Sequence, residues 1–504
     1  MSGRLTLASF LAFFAFAVIP LLTAPVPPLF DYPNHLARMA ILAAHGQDPL
    51  LNRYYAIRWG ILPNLGMDLV VPWLAGFMPV IDAGRVFLVG TLFLMAAGPV
   101  LLYRAWWGVW SPWACTGFLF LYSRVFLWGF INYLAGIGLA LCMLAGWVML
   151  QRRSWLLRGS VGAIGVTVVF FCHLEAFGVL ALTLLGVEAP NLVAALRQRD
   201  FGTLGARVVA LVLALTPASL LFLLAWQPHA VAALSLPRLD RKPDLLFSVF
   251  DNYSRPFDVV CFVAVLGGAI VGYARGSLRV AAPAAWPLSL IGVIYLALPS
   301  TLFTGEGADH RLPLVLFLLL AAATRPQGMS RRQVGAIASA LVVLFVVRMV
   351  VIETVWRSAA ETYRQDLAVL AQLPPGARLV IAAPASAVRV SAAPEYHFPV
   401  LAVLLRHTFV PTLFAYPTQQ PVRLVQAWSE LAAESDPDRV WRAFSGGSPA
   451  DLAFRSFIHS HYDFIAVVGS ALPGAEKLQC FSGLAAASTL RLYRLAPGGS
   501  ACRN

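Results

Sequence analysis

Residues 5–24 run without a single charged side chain. An α-helix needs about 20 apolar residues to cross the hydrocarbon of a bilayer. Ten further apolar runs follow, near 85–103, 111–123, 131–150, 159–173, 175–190, 207–226, 257–274, 281–299, 311–324 and 333–352. In lipid, such runs must satisfy their own backbone polar groups, which means helices. Composition agrees: of 504 residues, 59% are hydrophobic and 12% charged, with mean hydropathy +0.74. Those values exclude an ordinary soluble globular enzyme. The sequence therefore predicts a mainly α, polytopic transmembrane helical bundle of about eleven spans. Residues 64–80, with Asp68, Pro72 and Pro79, read as a re-entrant segment. Residues 5–24 also fit a secretory signal ending at Leu22-Thr23-Ala24, but their length and the single flanking Arg4 favour an uncleaved anchor.

Arginine placement predicts orientation. Of 37 basic residues only Lys242 and Lys477 are lysines, and the pI near 9.8 comes from arginines in short loops. One alternation of the spans gathers Arg4, Arg104, Arg152, Arg153, Arg158, Arg197, Arg199, Arg207, Arg275, Arg279, Arg325, Arg331 and Arg332 on one side. That side is cytoplasmic by the positive-inside rule. The charge thus reads as topology, not nucleic-acid binding. There is no zinc-type Cys/His spacing, phosphate loop or dinucleotide fingerprint.

Two domains are expected: a membrane domain over 1–352, with an outer first loop at 25–66, and an extracytoplasmic α/β domain over 353–504. An amphipathic helix with Glu353, Arg357, Glu361, Arg364 and Asp366 is broken by Leu373-Pro374-Pro375-Gly376. Strands are predicted near 378–383, 463–468 and 489–495, with a helix near 449–460. Cys480 and Cys502 flank the last strand, and whether they pair is left open. Cys115, Cys142, Cys172 and Cys261 read as packing residues.

On this topology the outer face collects Asp31, His35 and Arg38, the motif Trp128-Gly129-Phe130-Ile131-Asn132-Tyr133, the His173-Leu174-Glu175 turn, the 227–256 loop with Arg255, and Asp309-His310-Arg311. Ionisable groups beside hydrocarbon need partners or a task. Plain roles exist for each. Asp31 can cap a helix starting near Pro33; His35 and Arg38 can be solvated; His173 can be structural. Asp309 and Arg311 can form a surface ion pair. Residues 245–253 have the spacing of an interfacial amphipathic helix, with a substrate lid as the second reading. It is their convergence on one face that points to a site.

The strings Phe30-Asp31-Tyr32-Pro33-Asn34-His35-Leu36-Ala37-Arg38, Trp128-Gly129-Phe130-Ile131-Asn132-Tyr133 and Ala308-Asp309-His310-Arg311-Leu312-Pro313 resemble those of bacterial multipass membrane proteins allied to the GT-C glycosyltransferase superfamily. The layout is similar too, with an aspartate in the first outer loop, many spans and a C-terminal α/β domain. In place of the Asp-Glu or Asp-Asp pair common in that superfamily, Asp31 is followed by Tyr32. The resemblance implies an enzyme of the bacterial inner membrane, with a cytoplasmic N-terminus, whose donor is a sugar on a polyprenyl phosphate presented from membrane lipid. It implies Asp31 as general base, His35 and Arg38 as its support, and Arg311 with His173, Glu175, Asp309 or Arg255 on the substrate and its phosphate. No cofactor is assigned; a divalent cation would find Asp31 and Asp309. Two other readings stay open: a transporter or flippase of lipid-linked saccharide, and a scaffold docking envelope-assembly proteins.

Overall fold

The computed structural model describes residues 2–225, 236–302, 305–385, 394–445, 448–469 and 481–495. Helix α1 (Ser2–Thr23) opens the chain. In the first loop, α2 (Tyr32–Ala43), strand β1 (Tyr55–Ile57) and α3 (Gly66–Leu74) follow. Next come α4 (Val80–Trp107), α5 (Ile131–Met149), α6 (Trp155–Cys172), α7 (Leu174–Arg197) and α8 (Phe201–Ala225). Then α9 (Arg255–Phe262) continues through a π turn to Ala274. Finally α10 (Ala285–Ala297), α11 (Ala308–Ala323) and the 40-residue α12 (Arg331–Leu370) complete the bundle. Among the described residues, eight helices are long and apolar enough to cross a membrane.

The remaining three expected spans are shorter. Residues 111–123 are not α-helical: Pro112–Phe120 is a 3-10 helix, begun by Ser111, whose Oγ accepts from the Trp113 amide. It nevertheless keeps pace with α1. Trp110 lies against Gly3, Phe118 meets Phe10 at 5.4 Å, Tyr122 Oη donates to the Ala17 carbonyl at 2.6 Å, and Phe30 N–H donates to Leu127 O at 2.9 Å. A 3-10 helix rises about 2.0 Å per residue against about 1.5 Å for an α-helix, so fewer residues cover the same height. At the Trp110 end, Arg104 stands over Trp110, Arg325 over Trp107, and Leu278–Val280 pairs antiparallel with Thr324–Pro326. Arg104, Arg279 and Arg325 therefore share the end of the bundle where α1 begins.

Small residues bring the helices close. A Cβ on Gly138 of α5 would stand 2.6 Å from the backbone nitrogen of Met95 on α4, so only glycine fits that contact. Charges inside the bundle are partnered: Glu188 accepts from Arg158, from Arg207 at 2.9 Å and from Trp147 at 2.9 Å. Arg348 of α12 donates to Asp258, Phe250 O and Tyr122 O.

Beyond α12 the chain adds strands β2 (Leu379–Ala382), β3 (Val422–Leu424), β4 (Phe464–Val468), β5 (Phe481–Ala486) and β6 (Leu490–Leu495), with α13 (Pro449–His461) before β4. The sheet order is β2-β4-β6-β5, parallel between β2 and β4 and otherwise antiparallel. Strand β3 leaves this sheet to pair with β1 of the first loop, Tyr55 opposite Leu424. Tyr54 Oη donates to Gly376 O at 2.5 Å, and Asn34 Oδ1 accepts from the Phe414 amide at 3.1 Å. First loop and C-terminal segment thus form one layer over one end of the bundle. Cys480 and Cys502 lie outside the described residues.

Candidate functional site

Asp31 sits at the N-cap position of α2, yet its carboxylate makes no capping hydrogen bond. Capping is therefore not its task. The backbone is held instead: its N–H donates to Trp128 O at 3.0 Å, next to the Phe30–Leu127 bond. Gly129 follows with φ +86°, a conformation that favours glycine, and a Cβ there would crowd the Asp31 nitrogen at 3.1 Å. The side chain is 16% exposed. Burial raises its pKa from 3.8 to about 7, with the positive charge of Arg311 pulling the other way. A carboxylate so poised can take up a proton near neutrality.

The Trp128–Tyr133 motif acts as a bracket. Asn132 Oδ1 accepts from the Met67 amide at 2.7 Å while its Nδ2 donates to Asn64 O at 2.9 Å. Phe130 and Tyr133 flank the Arg311 guanidinium at 4.4 and 5.6 Å, and Tyr133 Oη donates to Arg311 O at 3.0 Å. Trp128 lies against His310 at 4.8 Å.

Arg311 does not pair with Asp309, as the sequence suggested it can. Arg311 Nη1 donates to Glu175 Oε2 at 2.6 Å, and Asp309 Oδ2 accepts from Lys242 Nζ at 2.9 Å. Both pairs are largely buried, which makes them costly to break. His173 extends the chain between α6 and α7, and its Nδ1 accepts from the Glu175 amide at 3.2 Å, so it serves as the cap of α7. His35 and Arg38 are buried, not solvated. Arg38 donates to both oxygens of Asp68, at 2.7 and 3.0 Å, and its guanidinium is committed there. His35 reaches Gly129 O at 3.2 Å, and burial, with Arg38 beside it, lowers its pKa to about 3. Arg255 is exposed over Phe247 at the edge of the group. The 245–253 stretch is no interfacial helix: the helix is only Lys242–Phe247, and Leu245, Val249 and Phe250 are buried.

Two contributors were not singled out from sequence. Lys242 is one, and its rarity in an arginine-rich chain is a signal that could have found it. His397 is the other. It comes from the C-terminal segment, with Nε2 3.7 Å from Asp31 Oδ1, and nothing local in the sequence marks it. Among the described residues, no group of three or more His, Cys, Asp or Glu side chains could hold a metal ion. A divalent ion at Asp309 would have to displace Lys242.

The class defined by these observations is a multipass helical membrane protein with a cluster of buried polar and charged side chains between the bundle end and an α/β layer. No protein-family model matches the chain, and no curated protein matches it by sequence. In fold it is similar to ArnT from Cupriavidus metallidurans bound to undecaprenyl phosphate, with TM-score 0.55, 11% identity and 98% of each chain covered. ArnT in the apo state gives TM-score 0.52 at 14% identity, also over 98% of each chain. The mycobacterial arabinofuranosyltransferase AftD matches with TM-score 0.51 and 14% identity, over 99% of this chain and 40% of that one. The mainly α, multipass fold expected from the sequence is thus one that these structures share over nearly the whole chain.

Proposed function

We propose that this protein is a membrane glycosyltransferase that moves a sugar from a polyprenyl phosphate to an acceptor hydroxyl on the outer face of the bacterial inner membrane. The observation that carries the reading is Asp31, a largely buried carboxylate that does not cap its own helix and is poised near neutral pH. The fold shared with ArnT bound to undecaprenyl phosphate supports the choice of lipid. In the reaction, the acceptor oxygen bonds to the anomeric carbon, the bond from that carbon to the phosphate oxygen breaks, and the acceptor proton passes to Asp31. The electron pair leaves with the polyprenyl phosphate, whose growing negative charge is steadied by Arg311, with Lys242 and His310 beside it.

Arg38 and His35 hold the first loop, and His173 holds the turn that presents Glu175. The arginine-rich end of the bundle is cytoplasmic in this reading, and residues 353–504 with the first loop form the outer layer, where an envelope glycan, lipid or protein acceptor docks. The test is purified Asp31→Asn protein supplied with undecaprenyl-phosphate pentoses and hexoses. Loss of transfer with undecaprenyl phosphate binding intact supports the assignment; unchanged transfer removes it. Movement of labelled lipid-linked sugar across vesicles without a new glycosidic bond would replace it with transport.

A further inference from the structure

One titratable group faces Asp31 and has no part in the reaction as written above. His397 belongs to the 3-10 stretch Pro394–Leu401, more than 360 residues beyond Asp31. Its ring is clamped edge-on by Phe30 at 4.8 Å, Phe414 at 5.3 Å and Tyr396 at 4.9 Å. Nε2 lies 3.7 Å from Asp31 Oδ1, and the buried Nδ1 has no hydrogen-bond partner. Burial holds the imidazole neutral, with its pKa lowered to about 3. A neutral ring has one N–H and one acceptor nitrogen. If the hydrogen is on Nε2, it is directed at the carboxylate and Nδ1 remains an acceptor. The separation is about half an ångström or more beyond a hydrogen bond, a gap of the kind that closes when substrate fills a site.

We propose that His397 is a positioning residue for Asp31: its Nε2–H orients the carboxylate toward the acceptor. The inference rests on the reading of Asp31 as the base. No proton is transferred through the ring; the acceptor proton still ends on Asp31. The groups facing the pair are Arg311 from α11, His35 from α2 with Arg38 behind it, and Tyr396 beside His397. An N–H donated to a carboxylate favours the ionised form. Removing it must therefore raise the Asp31 pKa.

The experiment is infrared titration of the Asp31 carboxyl band, identified by its loss in Asp31→Asn, in full-length protein with undecaprenyl phosphate bound, the state in which the 3.7 Å gap closes. His397→Phe keeps the bulk and excludes water but has no donor; His397→Gln restores one. The midpoint should rise by about one pH unit in the phenylalanine variant and return in the glutamine variant. The acid limb of transfer from undecaprenyl-phosphate sugars should move the same way. Should His397→Phe not fold, His397→Leu serves in its place. Midpoints unchanged in every variant overturn the inference, while transfer surviving in Asp31→Asn overturns the reading of Asp31 as base and leaves the titration to judge the pairing.

Discussion

Arg38 and Asp68 tie the start of the first loop to its end: Nε and Nη2 donate to the two carboxylate oxygens at 2.7 and 3.0 Å, with neither side chain exposed. Arg38 Nη2 also reaches His35 Nδ1 at 3.2 Å, and His35 Nε2 reaches Gly129 O at 3.2 Å. A continuous chain of bonds thus runs from α3 to the turn beneath Asp31.

Removing one member of such a buried pair strands the other. Asp68→Asn should cost about 3–5 kcal/mol of stability. Arg38→Lys should fail to rescue, because an ammonium cannot match the two-point geometry of the guanidinium. Thermal unfolding in detergent measures both. A melting temperature within error of the native protein would mean the pair is not holding the loop.

Asp31 makes opposite demands on stability and on catalysis. Its pKa is raised from 3.8 to about 7, so the folded protein holds the proton more tightly than the unfolded chain. The stability that this protonation gives is full below about pH 4 and is lost as pH rises through about 7. Asp31→Asn, which never ionises, should melt above the native protein at pH 8 and close to it at pH 4, while transfer is abolished. Native transfer should rise with pH through about 7, where the base form appears. Melting curves and a pH–rate profile check the two halves separately.

Gly129 gives a test of the turn itself. Its φ of +86° is strained for alanine, and a Cβ 3.1 Å from the Asp31 nitrogen would press that backbone aside by a few tenths of an ångström. Gly129→Ala should cost about 1–2 kcal/mol for the left-handed conformation alone. It should also lower transfer more than the melting temperature suggests, because the displaced atoms belong to Asp31. Paired rate and unfolding measurements on the variant decide it.

Much of the architecture was legible because it is local. Apolar runs of span length became α1, α4 and α5, and the strands expected at 378–383, 463–468 and 489–495 appear at Leu379–Ala382, Phe464–Val468 and Leu490–Leu495. Alternating apolar residues and proline breaks carry that information within a few positions. Hydropathy could not tell that 111–123 is 3-10 rather than α, since the run is apolar on nearly every side and carries no period to read. Pairing across long distances was not legible either. The Ala308–Pro313 string put Asp309 and Arg311 two residues apart, but tertiary packing gave each a partner from another helix, Lys242 and Glu175. The Asp31–His397 contact, like the pairing of β1 with β3, joins the first loop to the C-terminal segment, and no local pattern in either segment announces it.

The Arg311–Glu175 pair allows structural and functional roles to be separated. Arg311→Met alone leaves Glu175 buried without its 2.6 Å partner and should cost about 3–5 kcal/mol. The double variant Arg311→Met with Glu175→Met removes both charges, and well-packed apolar replacements of a buried pair are often neutral for stability. Its melting temperature should therefore return toward the native value. Transfer should not return, because the leaving phosphate has lost a cation and Asp31 has lost the charge that lowers its pKa. Residual activity in the double variant should show its acid limb displaced to higher pH. If the double variant recovers transfer together with stability, Arg311 is a fold residue only, and the phosphate must be held by Lys242 and its neighbours.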